Sequence, residues 1–180
     1  MVKRFCIAAA IASLFISQST AMAEGGSLWH LADQKGSIKV FVSDPGNESG
    51  QTQVTPDDLK KALESTFVNR KSVKFELAKT PEESDVQISS VIKKFQYMEK
   101  GPLKPTPGIT TLLDAAESMA ENYAEMSVDF VVTKTKTGEI LWKDTVYPYI
   151  KKKMSSKESI PFICDKVAGN FVWKCFGKPA

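Results

Sequence analysis

The sequence is poor in the residue types that build metal and redox centres. His30 is the only histidine among 180 residues, and there are three cysteines. A zinc site needs three or four ligands, and neither carboxylates nor cysteines cluster around His30. No Cys-x-x-Cys pair is present, so the usual dithiol redox motif is missing. We therefore expect no metal site and no cofactor, and we interpret His30 as a solvated side chain.

The familiar catalytic motifs are missing as well. The sequence contains no Gly-x-Ser-x-Gly elbow, no phosphate-binding Walker loop and no dinucleotide fingerprint. Two adjacent carboxylate pairs, Asp57-Asp58 and Glu82-Glu83, lie at a helix start and in a turn, where acidic side chains stabilise the local backbone. We predict that the chain is not an enzyme; carboxylates converging in a cleft would reverse that prediction.

Long apolar runs are also lacking, apart from one near the start. Lys3 and Arg4 precede the apolar run 5–16, and small residues follow at Ala21 and Ala23. This order is typical of a secretory signal peptide, and about a dozen apolar residues are too few to span a bilayer. We predict a signal peptide over 1–23, cleavage after Ala23 and a periplasmic product without a membrane span. Cys6 lies too early in the run to accept a lipid anchor.

The charge of the exported chain is close to zero. The 180 residues less these 23 leave 157, with 22 basic and 21 acidic side chains. A nucleic-acid partner usually requires a strongly basic face, so none is expected. This length suits one domain with one core. We predict a flexible lead-in over 24–36 and a single domain over 37–180.

Periodicity predicts an α+β fold. Thr55 followed by Pro56 is a helix start, and apolar residues recur from Leu59 to Phe67 at helical spacing. A parity change near Ser89-Ser90 suggests a bulge in a long strand. The predicted elements are strands over 37–43, 73–77, 85–98, 127–133 and 140–147, and helices over 56–69, from Leu112 to Tyr123, and from Ser159 onward.

These elements follow the order β-α-β-β-(α)-β-β-α. Strands joined by hairpins, with helices collected on one face, make a two-layer sandwich. We therefore predict a largely antiparallel sheet of about five strands with two or three helices. Pro148 should place the end of the last strand at a sheet edge, because proline cannot donate to a central ladder.

The two cysteines that follow the signal, Cys164 and Cys175, leave two alternatives open. An oxidising compartment favours a disulfide. Eleven residues of continuous helix would instead separate the two Cα atoms by roughly 16 Å, well beyond disulfide reach. Either Gly169 breaks the helix and the pair forms a disulfide, or both thiols stay unpaired in the core.

Aromatic and basic residues near the last strands are the candidate partner-binding residues. The aromatic side chains could pack on the core or form an exposed patch for a partner. The lysine run could guard a sheet edge against pairing, or contact an anionic surface such as lipid headgroups or lipopolysaccharide. The candidates are Phe95, Tyr97, Trp142, Tyr147, Tyr149, Lys151, Lys152 and Lys153.

Several of these segments together resemble a group of small envelope domains. The strand SIKVFVSDPGNESG, the helix TPDDLKKALESTF and the hairpin MSVDFVVTKTKTGEILWKD are similar to those of the LptE, TolB amino-terminal and CsgG-like type over about residues 37–146. The resemblance implies a part that binds or assembles envelope components, without catalytic residues. The missing lipid-attachment motif departs from the lipoprotein members. The matching positions are Asn47, Gly50, Asp85-Val86, Thr137-Gly138 and Leu141-Trp142.

Two functional hypotheses follow. The first is a non-enzymatic periplasmic protein that binds another envelope component, a protein or a glycolipid, in outer-membrane or lipopolysaccharide assembly; peripheral membrane contact would be compatible with it. The second is a carrier that holds a small apolar ligand between sheet and helices. A pocket bounded by Phe95, Tyr97, Phe130 and Trp142 would favour the carrier, and a solid core would remove it. The sequence leaves the oligomeric state open.

Overall fold

The computed structural model describes Leu28, residues 30–31, 36–71, 73–98, 122–152 and 154–177. Within these residues, seven strands form one sheet and two α-helices pack against it. The elements are β1 (Ile38–Val42), β2 (Gly46–Asn47), α1 (Pro56–Asn69), β3 (Phe75–Leu77), β4 (Val86–Met98), β5 (Asn122–Lys134), β6 (Ile140–Val146), β7 (Tyr149–Lys152) and α2 (Ser156–Phe176).

The sheet is mixed, with parallel pairing in one half and antiparallel pairing in the other. Its order is β3-β1-β4-β5, and both β6 and β7 pair with the far side of β5. Strand β1 runs parallel to β3 and to β4, and β2 is parallel to β4. The parallel half arises because α1 returns the chain to the starting end of the sheet. The predicted α+β sandwich with a largely antiparallel sheet is confirmed, because most paired residues lie in the antiparallel ladders of β4, β5, β6 and β7. The parallel pairing of β1, β2 and β3 was not predicted.

Helix α1 forms as its sequence predicts. The Thr55 hydroxyl accepts from the Asp58 amide at 3.3 Å, and the Asp58 carboxylate accepts from the Thr55 amide at 2.9 Å. This reciprocal capping box satisfies amides that would otherwise lack a partner at the helix start. Buried residues then recur at helical spacing, and α1 lies with that face on the sheet and on α2.

One core lies between the two helices and one face of the sheet. Phe67 of α1 and Phe171 of α2 are both fully buried, with ring centroids 6.3 Å apart. Strands β1, β4 and β5 contribute alternate residues to this face, as a half-buried sheet requires. The strand residues on the core side include Ile38, Val40, Val42, Val86, Ile88, Ile92, Ala124, Met126, Val128, Phe130 and Val132.

The bulge in β4 lies later than we predicted. Ser90 is buried in step with Ile88 and Ile92, so the alternation does not change at Ser89-Ser90. The pairing with β5 shifts between Ile92 and Lys94 instead, and Phe95 then takes up the core side. Buried serine accounts for the error, because the hydroxyl of Ser90 faces the core where an apolar side chain was expected.

Two element boundaries differ from prediction. Asn122 and Tyr123 belong to β5, so they are not part of the helix predicted from Leu112; the rest of that segment lies outside the described residues. Helix α2 begins at Ser156 rather than Ser159, because Ser155 and Glu158 form a second capping box. Pro161 lies in the second turn of the helix, where its missing amide removes the regular hydrogen bond to the Lys157 carbonyl.

The segment before β1 touches the core. Leu28, which we placed in a flexible lead-in, is buried, and its amide donates to the Cys175 carbonyl at 2.5 Å. Leu31 is half-buried against the same cluster. Two leucines three residues apart give this segment an apolar side that packs on the core.

Candidate binding surface

The candidate aromatic residues divide into an inward and an outward set. Phe95 is buried, and Tyr97 is half-buried with its hydroxyl donating to the Met154 carbonyl at 2.9 Å. Trp142 is half-buried against the Phe171 ring, with centroids 5.5 Å apart. These three residues therefore pack on the core, which is the first of the two alternatives for the aromatic set.

The position proposed for an apolar ligand is occupied by helix α2. Phe130 is fully buried and stacks on Phe171 with centroids 4.2 Å apart and planes 9° apart. The Phe171 ring thus fills the space between Phe130 and Trp142. Because close-packed rings leave no room for a guest, these contacts remove the pocket on which the carrier hypothesis depended.

Tyr147 and Tyr149 form the outward set. They are 67% and 56% exposed, which is high for large aromatic side chains. The Tyr149 ring stacks on Tyr123 with centroids 5.9 Å apart. Pro148, between Tyr147 and Tyr149 in the chain, is buried, and its carbonyl accepts from the Met126 amide at 3.2 Å. The interruption at Pro148 separates β6 from β7, a strand that the sequence did not reveal.

Strand β7 and helix α2 are joined on their solvent side by lysine contacts. Lys166 of α2 donates to the Tyr149 carbonyl at 2.8 Å, and its ammonium lies 5.5 Å from the centre of the Tyr149 ring. Lys152 of β7 lies 4.4 Å from the centre of the Phe162 ring on α2. Both are cation–π contacts, in which a lysine covers part of an aromatic face without burying it.

The solvent-facing side of α2 carries two further exposed aromatic residues. Phe162 is 48% exposed and Trp173 is 65% exposed. They are eleven residues apart, which places them on the same side of the helix as Lys166, opposite its buried stripe. Between them, a Cβ added at Gly169 would meet nothing within 4 Å. Two large aromatic side chains thus flank an open stretch of helix.

We call this surface the aromatic–lysine flank. It runs from the solvent-facing side of α2 around the edge of the sheet at β7: Lys152 lies on the helix side of the sheet with buried Ile150, whereas Tyr149 and Lys151 lie on the opposite side with Tyr123. The two elements are in direct contact through Lys152 and Lys166. Its members are Tyr147, Tyr149, Lys151, Lys152, Phe162, Lys166 and Trp173. Lys153, the last of the predicted candidates, lies outside the described residues.

One border of the flank is organised by a charged triad. Tyr123 donates to the Glu125 carboxylate at 2.7 Å, and Lys94 also donates to that carboxylate. The hydrogen bonds from Lys94 and Tyr123 lower the pKa of the Glu125 carboxyl below its usual value. The bond to Glu125 raises the pKa of the Tyr123 hydroxyl, which therefore stays protonated at neutral pH. The negative charge of Glu125 is thus balanced by Lys94, and the hydrogen bond to Glu125 holds Tyr123 in place to stack on Tyr149.

The two cysteines are free thiols in the core. Helix α2 continues without a break through Gly169, so Cys164 and Cys175 lie on one continuous helix and are too far apart to pair. Both are fully buried. Of the two alternatives, the structure contains the unpaired thiols. Burial raises the pKa of Cys164 to about 12 and that of Cys175 also well above its usual value. Neither thiol is therefore nucleophilic at neutral pH.

Four residues that shape this surface were not singled out by sequence. Tyr123 was assigned to a predicted helix, whereas Phe162, Lys166 and Trp173 belong to the last helix, in which only the cysteines were considered. A signal was present in the sequence, because Phe162 and Trp173 fall outside the buried apolar stripe of α2. Apolar residues on the solvent side of an amphipathic helix are candidates for contact.

Other kinds of site are not found in the part of the chain that the structure describes. Among those residues, no three histidine, cysteine, aspartate or glutamate side chains lie close enough together to hold a metal ion. None of the helices described here is both long and apolar enough to cross a bilayer.

Comparison with known proteins gives fold similarity without sequence similarity. No protein-family model matches the chain, and no curated protein matches it. A Xanthomonas campestris protein of the DUF330 family is similar with a TM-score of 0.50 at 10% identity, covering 78% of this chain and 82% of that one. The PelC dodecamer from Paraburkholderia phytofirmans has a TM-score of 0.48 at 12% identity, with 74% and 86% covered. A lipoprotein from Neisseria meningitidis has a TM-score of 0.41 at 11% identity, with 75% and 98% covered.

At such low identity, these similarities concern the fold alone. The DUF330 protein reaches a TM-score of 0.50 and supports a small α/β fold. The finer resemblance to LptE, TolB and CsgG-like domains is not shown by these structures and stays a prediction. No residue role passes from any of them to this chain.

Proposed function

We propose that this chain is a non-enzymatic, exported cell-envelope protein that binds another envelope component through its aromatic–lysine flank. The observation that carries the proposal is the pair of exposed aromatic residues on the solvent side of α2, Phe162 and Trp173. They contribute nothing to the core, and exposed aromatic side chains of this size are typical of binding surfaces.

The neighbouring contacts support the same surface. Tyr149 is held by its stack on Tyr123 and by Lys166, so its exposed ring is ordered before any partner arrives. A pre-ordered aromatic side chain loses less conformational entropy on binding. The signal-peptide pattern over 1–23 supports export to the envelope.

The geometry favours packing against this face over strand addition at its edge. Strand β7 has only four residues, two of which are Lys151 and Lys152, and Lys166 already occupies the Tyr149 carbonyl. Short, lysine-bearing edges resist pairing with a further strand. The binding free energy would therefore come from aromatic burial, with the lysines selecting the partner.

Capture from a detergent extract of the envelope tests this proposal. The processed chain, purified from the exported fraction, is used as wild type and as a Phe162→Ala/Trp173→Ala variant. Truncating a central aromatic side chain costs about 2 kcal/mol or more of binding free energy, which is roughly 30-fold, so the loss of both should weaken binding by up to about 700-fold. Val68→Ala is the matched control, because Val68 is 66% exposed on α1, away from the flank.

Two results would contradict the proposal. One is capture that is equal for wild type, control and double variant, which would place binding elsewhere. The other is an extract from which wild type retains no component above an unrelated exported protein. Thermal unfolding of each variant shows whether it is folded before capture is compared.

A further inference from the structure

We propose that the component met by the aromatic–lysine flank is the surface of a lipid bilayer that contains anionic phospholipid. This inference rests on the proposed function and narrows it to one partner. It depends on three features of the flank: the types of its side chains, its charge and its shape.

The side chains are those that favour the boundary between lipid headgroups and acyl chains. Trp173, Tyr147 and Tyr149 combine an apolar ring with a polar group, and all three are more than half exposed. Tryptophan and tyrosine are enriched at this boundary because the ring contacts lipid while the polar group stays hydrated. Phe162 adds a fully apolar ring, 48% exposed, on the same helix as Trp173.

The charge of the flank complements anionic headgroups. Lys151, Lys152 and Lys166 are exposed, and among the described residues no carboxylate forms an ion pair with them. Asp144 is engaged by Lys174 at 3.0 Å, and Glu158 by the α2 capping box. Each lysine near an anionic surface strengthens binding by about fivefold. The aliphatic parts of lysine can follow the aromatic rings while the ammonium groups reach phosphate.

The shape of the flank is long and open. Phe162 and Trp173 lie on one side of a continuous helix, roughly 16 Å apart along its axis. Gly169 between them adds no side chain, and β7 lies alongside. A helix that presents Trp and Phe beside lysines suits a planar interface that it meets along its length. Asp165, also exposed on α2, lies one turn from both Phe162 and Gly169, on their side away from Lys166.

Co-sedimentation with vesicles tests the inference. The processed chain is mixed with phosphatidylcholine vesicles that either contain or lack phosphatidylglycerol. We expect sedimentation only with phosphatidylglycerol, and weaker sedimentation as salt is raised. Lys152→Glu/Lys166→Glu should weaken it at least about 25-fold, at five-fold for each lysine. Phe162→Ala/Trp173→Ala should also reduce it, at unchanged thermal stability.

Two control variants match these changes elsewhere on the surface. Lys61→Glu reverses one exposed charge on α1, and Val68→Ala removes one exposed apolar side chain there. Both should sediment as wild type does. If the flank variants sediment as well as the controls, the membrane contact is not made by this flank and the inference is wrong.

The outcomes also separate this inference from the proposed function. Absence of vesicle binding, together with flank-dependent capture of a protein from envelope extract, would overturn the lipid partner and leave the proposed function standing. Binding only when lipopolysaccharide is added to the vesicles would identify lipopolysaccharide, and not anionic phospholipid, as the partner. Absence of both vesicle binding and capture would overturn both proposals.

Discussion

The two helices pack on the same core but differ on their solvent sides. Helix α1 exposes Asp57, Lys61 and Ser65, which are spaced one turn apart, and its one strongly exposed apolar residue is Val68 in the last turn. Helix α2 instead exposes the aromatic residues Phe162 and Trp173 on its solvent side. The inner sides are alike, since each helix buries an uninterrupted apolar stripe.

This difference separates what the fold requires from what it does not. Burial of the inner stripes accounts for the two-layer sandwich, and the polar outer side of α1 shows that the sandwich needs no exposed aromatic residue. Phe162 and Trp173 therefore call for an explanation outside folding. A binding surface that includes β7 supplies one.

The largest expected effect contrasts two phenylalanines of the same helix. Phe171 is fully buried between Phe130, Trp142, Phe67 and Phe176. Phe171→Ala should lower the free energy of unfolding by about 3–5 kcal/mol, because it removes a large ring from a close-packed site. Urea denaturation followed by circular dichroism measures the loss.

Phe162→Ala is the control for that measurement. It removes an equal ring from the outer side of α2, where the ring contacts Lys152, and should change the free energy of unfolding by less than about 1 kcal/mol. Similar losses for the two variants would mean that both sides of α2 stabilise the fold, and the contrast between the helices would fail.

A smaller effect is expected at the helix starts. Thr55 and Ser155 each cap a helix through a hydroxyl that accepts a backbone amide. Thr55→Ala and Ser155→Ala should each cost about 1 kcal/mol of stability, with no change in envelope capture. Equal costs from both caps would show that the helices are alike in how they form, whereas a loss of capture in Ser155→Ala would extend the binding surface to the start of α2.

The smallest effect concerns pH. Hydrogen bonds from the Ser155 amide and hydroxyl lower the pKa of Glu158 below 4.5 in the folded chain. A lowered folded pKa contributes stability above the unfolded pKa and loses it as pH falls through the folded value. The stability advantage of wild type over Glu158→Gln should therefore be present at neutral pH and shrink below pH 4.5. An advantage that is constant across this range would contradict the capping role of the charge.

Much of the fold was accessible from local pattern. The start of α1 at Thr55-Pro56 and the hairpin turn at Thr137-Gly138, where Gly138 adopts a φ of +68°, were each specified by neighbouring residues. The parallel half of the sheet was not, because strand direction depends on the path of the chain in space. The bulge after Ile92 was misplaced because Ser90 is buried despite its hydroxyl.

The proposed binding surface was predictable only in part. Tyr147, Tyr149, Lys151 and Lys152 were identified as candidates since they follow the last hairpin, and the structure places them on one exposed strand end. Their joining to α2 through Lys166 could not be read from sequence, because the two elements meet only in the folded chain. Phe95, Tyr97 and Trp142 share the chemistry of the candidates but face the core, which periodicity alone did not distinguish from a surface patch.

The most direct test of a binding surface on the outer side of α2 is hydroxyl-radical footprinting of the exported chain, with and without envelope membranes. Phe162, Trp173 and Tyr149 are exposed and reactive, as is Val68 on α1. We predict that membranes protect the three aromatic residues and leave Val68 unchanged. Aromatic residues that stay as reactive with membranes as without them, or protection that includes Val68 equally, would contradict the account.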